Sequence, residues 1–169
     1  MDSQTKFIIG ITVFVIGLSF VLKVEEHLSD LTYVRAFNGK EYRVRKLPDK
    51  QDAADLLARI HGQLFQACDI LKRNHPQDPR VQRVLDRFPT TDLAEADGSE
   101  KNTSYSINKG EKIVMCLRQK DGTDRLVDQN LILFVALHEL SHIMTISVGH
   151  TEEFWSNFRF VLKNCQDAN

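Results

Sequence analysis

Apolar residues recur every three or four positions between residues 52 and 73, and this spacing predicts a long amphipathic helix. Residues 79–88 predict a second, shorter helix. Pro79 suits its first position, and Pro89 ends the apolar pattern. The stripe of the long helix consists of Ala53, Leu56, Leu57, Ile60, Leu64, Ala67, Ile70 and Leu71.

The C-terminal third of the chain predicts two more helices. One opens at Asp128 or Gln129, and its unbroken apolar run over residues 131–137 predicts burial on nearly every side. The other follows Thr151, whose hydroxyl can cap it. Its packed stripe is predicted to contain Phe154, Trp155, Phe158, Val161 and Leu162.

Short strand-like runs fall into two pairs, each joined by a turn. Residues 31–37 and 41–47 flank Asn38-Gly39, which is a strong hairpin signal. A second hairpin is predicted from residues 105–107 and 113–117. Residues 90–103 are polar and are expected to form an exposed loop. The fold class is therefore predicted to be α+β, with a short antiparallel sheet, a long first helix and a buried later helix.

The N-terminal residues 7–22 carry no charge and lie between Lys6 and Lys23. This run spans only about 24 Å of a bilayer core of roughly 30 Å, yet the two lysines could snorkel to both interfaces. A single transmembrane helix is predicted, with a cleaved secretion signal as the alternative. Lys and Arg are more frequent after this run than before it, so the domain is expected to face the cytoplasm.

The predicted organisation follows from this pattern. Residues 1–24 form the membrane anchor, residues 25–48 a juxtamembrane segment with the first hairpin, and residues 49–169 the main domain. The lipid bilayer is the partner expected for residues 7–22, and the protein is expected to be a single-pass membrane protein.

Charge and cysteine content narrow the function classes. The chain has 22 Lys and Arg against 23 Asp and Glu, so it lacks the basic balance typical of nucleic-acid binding. Cys68, Cys116 and Cys165 have no CxxC spacing and cannot all pair within one chain, so they are expected to be reduced and mostly buried, which favours a domain facing the cytosol. Nucleic acid is therefore not an expected partner.

The sequence from His138 to His142 reads His-Glu-Leu-Ser-His. Residues four apart lie one above the other on a helix, so both imidazoles can bind one zinc ion while Glu139 stays free to act as a general base. A catalytic zinc needs a third protein ligand. His150, which follows Gly149, is the first candidate, and Glu152 or Glu153 is the alternative.

These residues resemble zincin metallopeptidases of the SprT-like and WLM type, in which HExxH is followed by a short connection and a Gly-His with Phe or Phe-Trp shortly after. The resemblance covers residues 105–162 well. It implies a compact minimal protease domain with one Zn²⁺ per chain, His150 as third ligand and Glu139 as base. It also implies a substrate strand along a sheet edge, for which the candidate is Ile113, Val114, Met115, Cys116 and Leu117.

A tetrahedral intermediate would also need an oxyanion donor, and Tyr105 or His75 could supply it. The leading hypothesis is a membrane-anchored zinc metallopeptidase acting on a protein or peptide. Two alternatives stay open, a non-catalytic zinc-stabilised scaffold tethered to a membrane and a DNA-associated protease of the SprT or WLM type. The sequence does not define an oligomeric state.

Overall fold

The computed structural model describes residues 7–8, 11–12, 14–15, 17–18, 30–98 and 104–166. Within residues 30–98 and 104–166 it contains four α-helices and one five-stranded sheet. The helices are α1 (Lys50–Asn74), α2 (Pro79–Arg87), α3 (Gln129–Met144) and α4 (Glu152–Gln166), and the strands are β1 (Leu31–Arg35), β2 (Glu41–Arg45), β3 (Asp92–Glu95), β4 (Tyr105–Ile107) and β5 (Lys112–Met115).

The sheet has the strand order β1-β2-β3-β5-β4. The two predicted hairpins are present, since β1 pairs antiparallel with β2 and β4 pairs antiparallel with β5. Between them, β3 pairs in parallel with both β2 and β5. The sheet is therefore mixed, and the prediction of an antiparallel sheet was wrong in its centre.

Strand β3 lies in the stretch that was predicted to be an exposed loop. Leu93, Ala94 and Glu95 are all buried in it. The Glu95 carboxylate binds the Arg118 side chain through Nε at 2.7 Å and also accepts the backbone N–H of Arg45 at 2.8 Å. A polar, alanine-containing segment becomes a central strand because these distant groups satisfy its buried charge.

The helices cover the sheet and close the core. Helix α1 contacts β2, α3 and α4, and its buried face carries most of the predicted stripe. Helix α3 begins at Asp128, whose side chain accepts the N–H of Asn130 at 2.9 Å, as expected for an N-cap. Helix α3 packs against the other three helices and also contacts strands β4 and β5.

The N-terminal segment does not support a membrane anchor. Phe7, Ile8, Phe14 and the other described residues between 7 and 18 are helical, whereas residues 9–10, 13, 16 and 19–22 of the predicted anchor lie outside the described residues. Among the described residues, no helix has the length and apolar character required to cross a bilayer. This finding contradicts the predicted location as a single-pass membrane protein with a cytoplasmic domain. The physical reason is length, because the apolar run falls short of the hydrocarbon thickness.

Candidate metal centre

Three histidine side chains converge at one point beside α3. The Nε2 atom of His150 lies 2.9 Å from Nε2 of His138 and 3.3 Å from Nε2 of His142. One ring nitrogen from each residue falls within 4.8 Å of the other two. This is the spacing required for three ligands that share one ion.

Local geometry explains the convergence. His138 and His142 occupy successive turns of α3, so both rings leave the same face of the helix. The chain then leaves the helix at Thr145 and returns through Gly149, whose φ of +82° is readily adopted by glycine. That turn brings His150 back over the two helical rings.

Aromatic side chains of α4 hold the imidazoles in place. The His142 ring stacks on Phe154 with centroids 4.2 Å apart, and the His150 ring stacks on Trp155 at 5.7 Å. Burial lowers the pKa of His142 to about 4, and it also lowers the pKa of His138. Both rings therefore favour the neutral form, which is the form that binds a metal.

Glu139 lies beside the histidines and is almost fully buried. Burial raises the pKa of its carboxyl group to about 7, and hydrogen bonds from the side chain and backbone of Ser106 act in the opposite direction. Its Oε2 atom has no hydrogen-bond partner among the described residues. A buried carboxylate with one unpartnered oxygen is suited to exchange a proton with a group bound in the cleft.

The loop between the second and third histidines is held from both sides. Lys109 Nζ donates to the carbonyl oxygens of Thr145 at 2.9 Å and Ile146 at 3.1 Å, and also to that of Ser147. The Glu153 carboxylate accepts the backbone N–H groups of Ile146 at 2.9 Å and Ser147 at 3.0 Å. These backbone donors lower the pKa of Glu153 to about 2.

The Lys109 contact depends on a strained turn. Asn108 and Lys109 have φ values of +48° and +55°, and Gly110 follows at +115°. Non-glycine residues seldom adopt this region, and here the conformation directs the Lys109 ammonium group at the end of α3. The β4–β5 hairpin is thereby tied to the loop that carries His150.

A cleft of about 610 Å³ opens over the histidines. Strand β4 forms one wall, and side chains of α3 between Phe134 and His142 form the other. Because β5 lies between β3 and β4, residues 113–117 are not at a sheet edge. The predicted edge strand is therefore corrected to Tyr105–Ile107.

Comparison with known proteins assigns the chain to a family. The profile of the WLM domain matches residues 37–169, which is most of the chain. The chain belongs to the WLM domain family. This membership confirms the predicted resemblance to minimal metallopeptidase domains of the WLM type.

Two kinds of protein are similar to this chain. The chain is 31% identical over 166 residues to the uncharacterized protein R325 of Acanthamoeba polyphaga mimivirus, covering 95% of this chain and 83% of that protein. Crystal structures of Wss1 from Saccharomyces cerevisiae, one of them a mutant, match its fold. Their TM-scores are 0.56 and 0.54 at 21% and 22% identity, covering 73% of this chain and 86% and 85% of theirs.

The other predicted site residues of the WLM domain do not join the three histidines. Tyr105 lines it from the edge strand, whereas His75 contacts Asn164 of α4 through Nε2 at 3.0 Å. Glu152 is exposed in the first turn of α4, and both oxygens of Glu153 are occupied by the loop amides. Of the candidate third ligands, only His150 joins His138 and His142 within the described residues.

Sequence reasoning missed Ser106, Lys109 and a buried polar network behind the WLM site. The Asn157 amide donates to Thr145 Oγ1 at 3.0 Å, and Thr145 in turn donates to the Ser141 carbonyl at 2.7 Å. This network joins the end of α3 to α4. An Asn in the apolar stripe of the last helix was the signal available in the sequence.

Proposed function

We propose that this WLM domain is a zinc-dependent peptidase. The observation that carries the proposal is the convergence of three imidazole nitrogens beside a buried carboxylate, one oxygen of which has no hydrogen-bond partner among the described residues. His138, His142 and His150 would hold the ion, and Glu139 would serve as general base. Family membership supports the same reading.

The residues present fit a zinc ion. Tetrahedral coordination at a Zn–N distance of roughly 2.0–2.1 Å separates two ligand nitrogens by about 3.3 Å. The two Nε2 separations, 2.9 Å and 3.3 Å, are close to that value. Three imidazole ligands also leave a fourth position open, which is typical of catalytic rather than structural zinc sites.

The chain's own residues supply proton transfer and positioning. A bound zinc ion would act as a Lewis acid that polarises the scissile carbonyl and acidifies a water molecule. Glu139 Oε2 accepts the proton of the attacking water and later delivers it to the leaving amine. The side chain and backbone of Ser106 hydrogen-bond to the same carboxylate, which holds the Glu139 side chain in place beside the histidines and leaves Oε2 without a partner among the described residues.

The cleft can accommodate an extended peptide. Strand β4 is an edge strand, so the backbone groups on its outer side can pair with an additional strand. A substrate paired with Tyr105–Ile107 would pass directly over Glu139 and the histidines, which line the same cleft. Tyr105 remains the candidate donor to the oxyanion, since it lies in this strand.

The test separates metal binding from turnover. The full chain and its Glu139→Gln variant are loaded with zinc and incubated with an unfolded protein, and cleavage is followed by mass spectrometry. Both proteins should bind one zinc per chain, and the variant should lose at least about 100-fold in rate, as expected for loss of a general base. Equal cleavage by the two proteins would rule out the mechanism.

A further inference from the structure

The surface around the histidines carries several exposed apolar side chains. Phe134 and Leu131 lie one and two turns before His138, respectively, on the same face of α3, and both are about half exposed. On the other side of the histidines, Ile146 is exposed and Val148 is 86% exposed. The predicted burial of residues 131–137 on nearly every side is therefore wrong on the cleft side.

This exposure is concentrated around the cleft. Residues 30–98 and 104–166 expose eight large apolar side chains, and two of them, Phe134 and Val148, line the cleft. Leu131 and Ile146 lie within a few positions of cleft residues along the chain, and Trp155, which was predicted to be core, stacks its ring on His150. Contiguous exposed apolar surface is costly in water and typically marks a site that binds an apolar group.

The charged residues of the cleft also favour an apolar substrate group. Besides the three histidines and Glu139, Lys109 is the one residue among the described lining residues whose side chain is charged at neutral pH. Its ammonium group is already bound by three backbone carbonyls. A charged substrate side chain would therefore lose its hydration without gaining an opposite charge, which disfavours it.

We propose that the cleft selects peptide bonds flanked by a bulky apolar side chain, which would contact Phe134 on one wall and Val148 on the other. Such side chains are buried in folded proteins, so the substrate class is unfolded or locally unfolded protein. This inference rests on the proposed peptidase function. It adds a specificity that the metal site alone does not determine.

The test uses the zinc-loaded full chain and a peptide library in which each position is varied, with cleavage sites read by mass spectrometry. Leu, Ile, Phe or Met should be enriched next to the cleaved bond. For a matched peptide pair that differs only by Leu against Asp at that position, kcat/KM should favour Leu by about 10-fold or more.

Two variants locate the specificity. Phe134→Ser should lower kcat/KM for the Leu peptide by about 10-fold, lower it for an Ala peptide by less than about 2-fold, and keep the zinc content unchanged. Phe37→Ser makes the same change on the β1–β2 turn, where the side chain is also exposed, and should alter neither value.

The outcomes distinguish the two proposals. Cleavage without an apolar preference, or with a preference for Lys, Arg, Asp or Glu, would overturn the specificity while leaving the peptidase function in place. An equal loss for both peptides in Phe134→Ser would also overturn it. Absence of cleavage of every peptide by the wild-type protein would remove the peptidase function and this inference together.

Discussion

Replacement of Lys109 by Met should weaken zinc binding although Lys109 is not a proposed ligand. The ammonium group holds the carbonyls of Thr145, Ile146 and Ser147, and this loop delivers His150. Methionine keeps much of the aliphatic length of lysine but donates no hydrogen bond. Without the clamp, the metal itself must order the loop, so the cost of ordering is subtracted from the binding free energy.

The magnitude follows from the number and exposure of the contacts. A hydrogen bond from a charged donor contributes about 1.5–3 kcal/mol when it is well buried. Lys109 is only partly buried, so we take about 0.5–1 kcal/mol for each of its three bonds, or about 2 kcal/mol in total. Since 1.4 kcal/mol corresponds to a tenfold change in affinity, zinc should bind about 10- to 30-fold more weakly.

Competition with a chromophoric chelator measures the zinc dissociation constant directly. Lys112→Met, on the same hairpin, is the matched control and should bind zinc as the wild type does. Lys109→Arg, which restores a multiple donor, should recover part of the affinity. If Lys109→Met binds zinc as tightly as the wild type, the proposed role of the clamp is refuted.

Two further predictions concern the fold around the site. Arg118→Met should lower the free energy of unfolding by about 3–5 kcal/mol, because it leaves the buried Glu95 carboxylate without its ion pair. Urea denaturation measures this, and Arg125→Met, which removes an exposed pair with Asp121, should cost less than about 1 kcal/mol; equal losses would contradict the argument. Burial lowers the pKa of His61 from 6.5 to about 4, so between these pH values the imidazole is protonated in the unfolded chain and neutral in the folded chain. Stability should therefore fall as the pH decreases from about 6.5 towards 4, by roughly 2 kcal/mol, and His61→Gln should reduce this slope; an unchanged slope in urea titrations would argue against it.

Features encoded by local spacing could be read from the sequence. The period of apolar residues in α1, the Asn38-Gly39 turn and the four-residue spacing of His138 and His142 each depend on neighbours along the chain. Such patterns give helices, hairpins and a pair of candidate ligands without knowledge of the tertiary structure.

Features that depend on distant partners could not be read in this way. Strand β3 is stabilised by Arg118 and by pairing with two strands that are remote in sequence, and its own residues carry little strand preference. Because β3 lies between β2 and β5, β5 is an inner strand and β4 lies at the edge of the sheet. Lys109 was missed for a similar reason, since its role depends on a left-handed turn and on a loop beyond α3.

The apolar run before His138 shows a third limit. Periodicity indicated that residues 131–137 avoid water, yet it did not distinguish burial in a core from exposure in a cleft. The same ambiguity affected residues 7–22, where an apolar run suggested a membrane helix that the described residues do not contain. An apolar run alone therefore does not show whether its side chains are covered by a protein core, line a cleft or enter a membrane.

Zinc K-edge X-ray absorption of the full chain, loaded with one equivalent of metal, tests the central claim most directly. The proposed site predicts three imidazole nitrogens at about 2.0–2.1 Å and one further light-atom ligand. His150→Ala should lose one imidazole, whereas His75→Ala should match the wild type. Failure to bind zinc stoichiometrically, or a His150→Ala spectrum identical to that of the wild type, would contradict the three-histidine site.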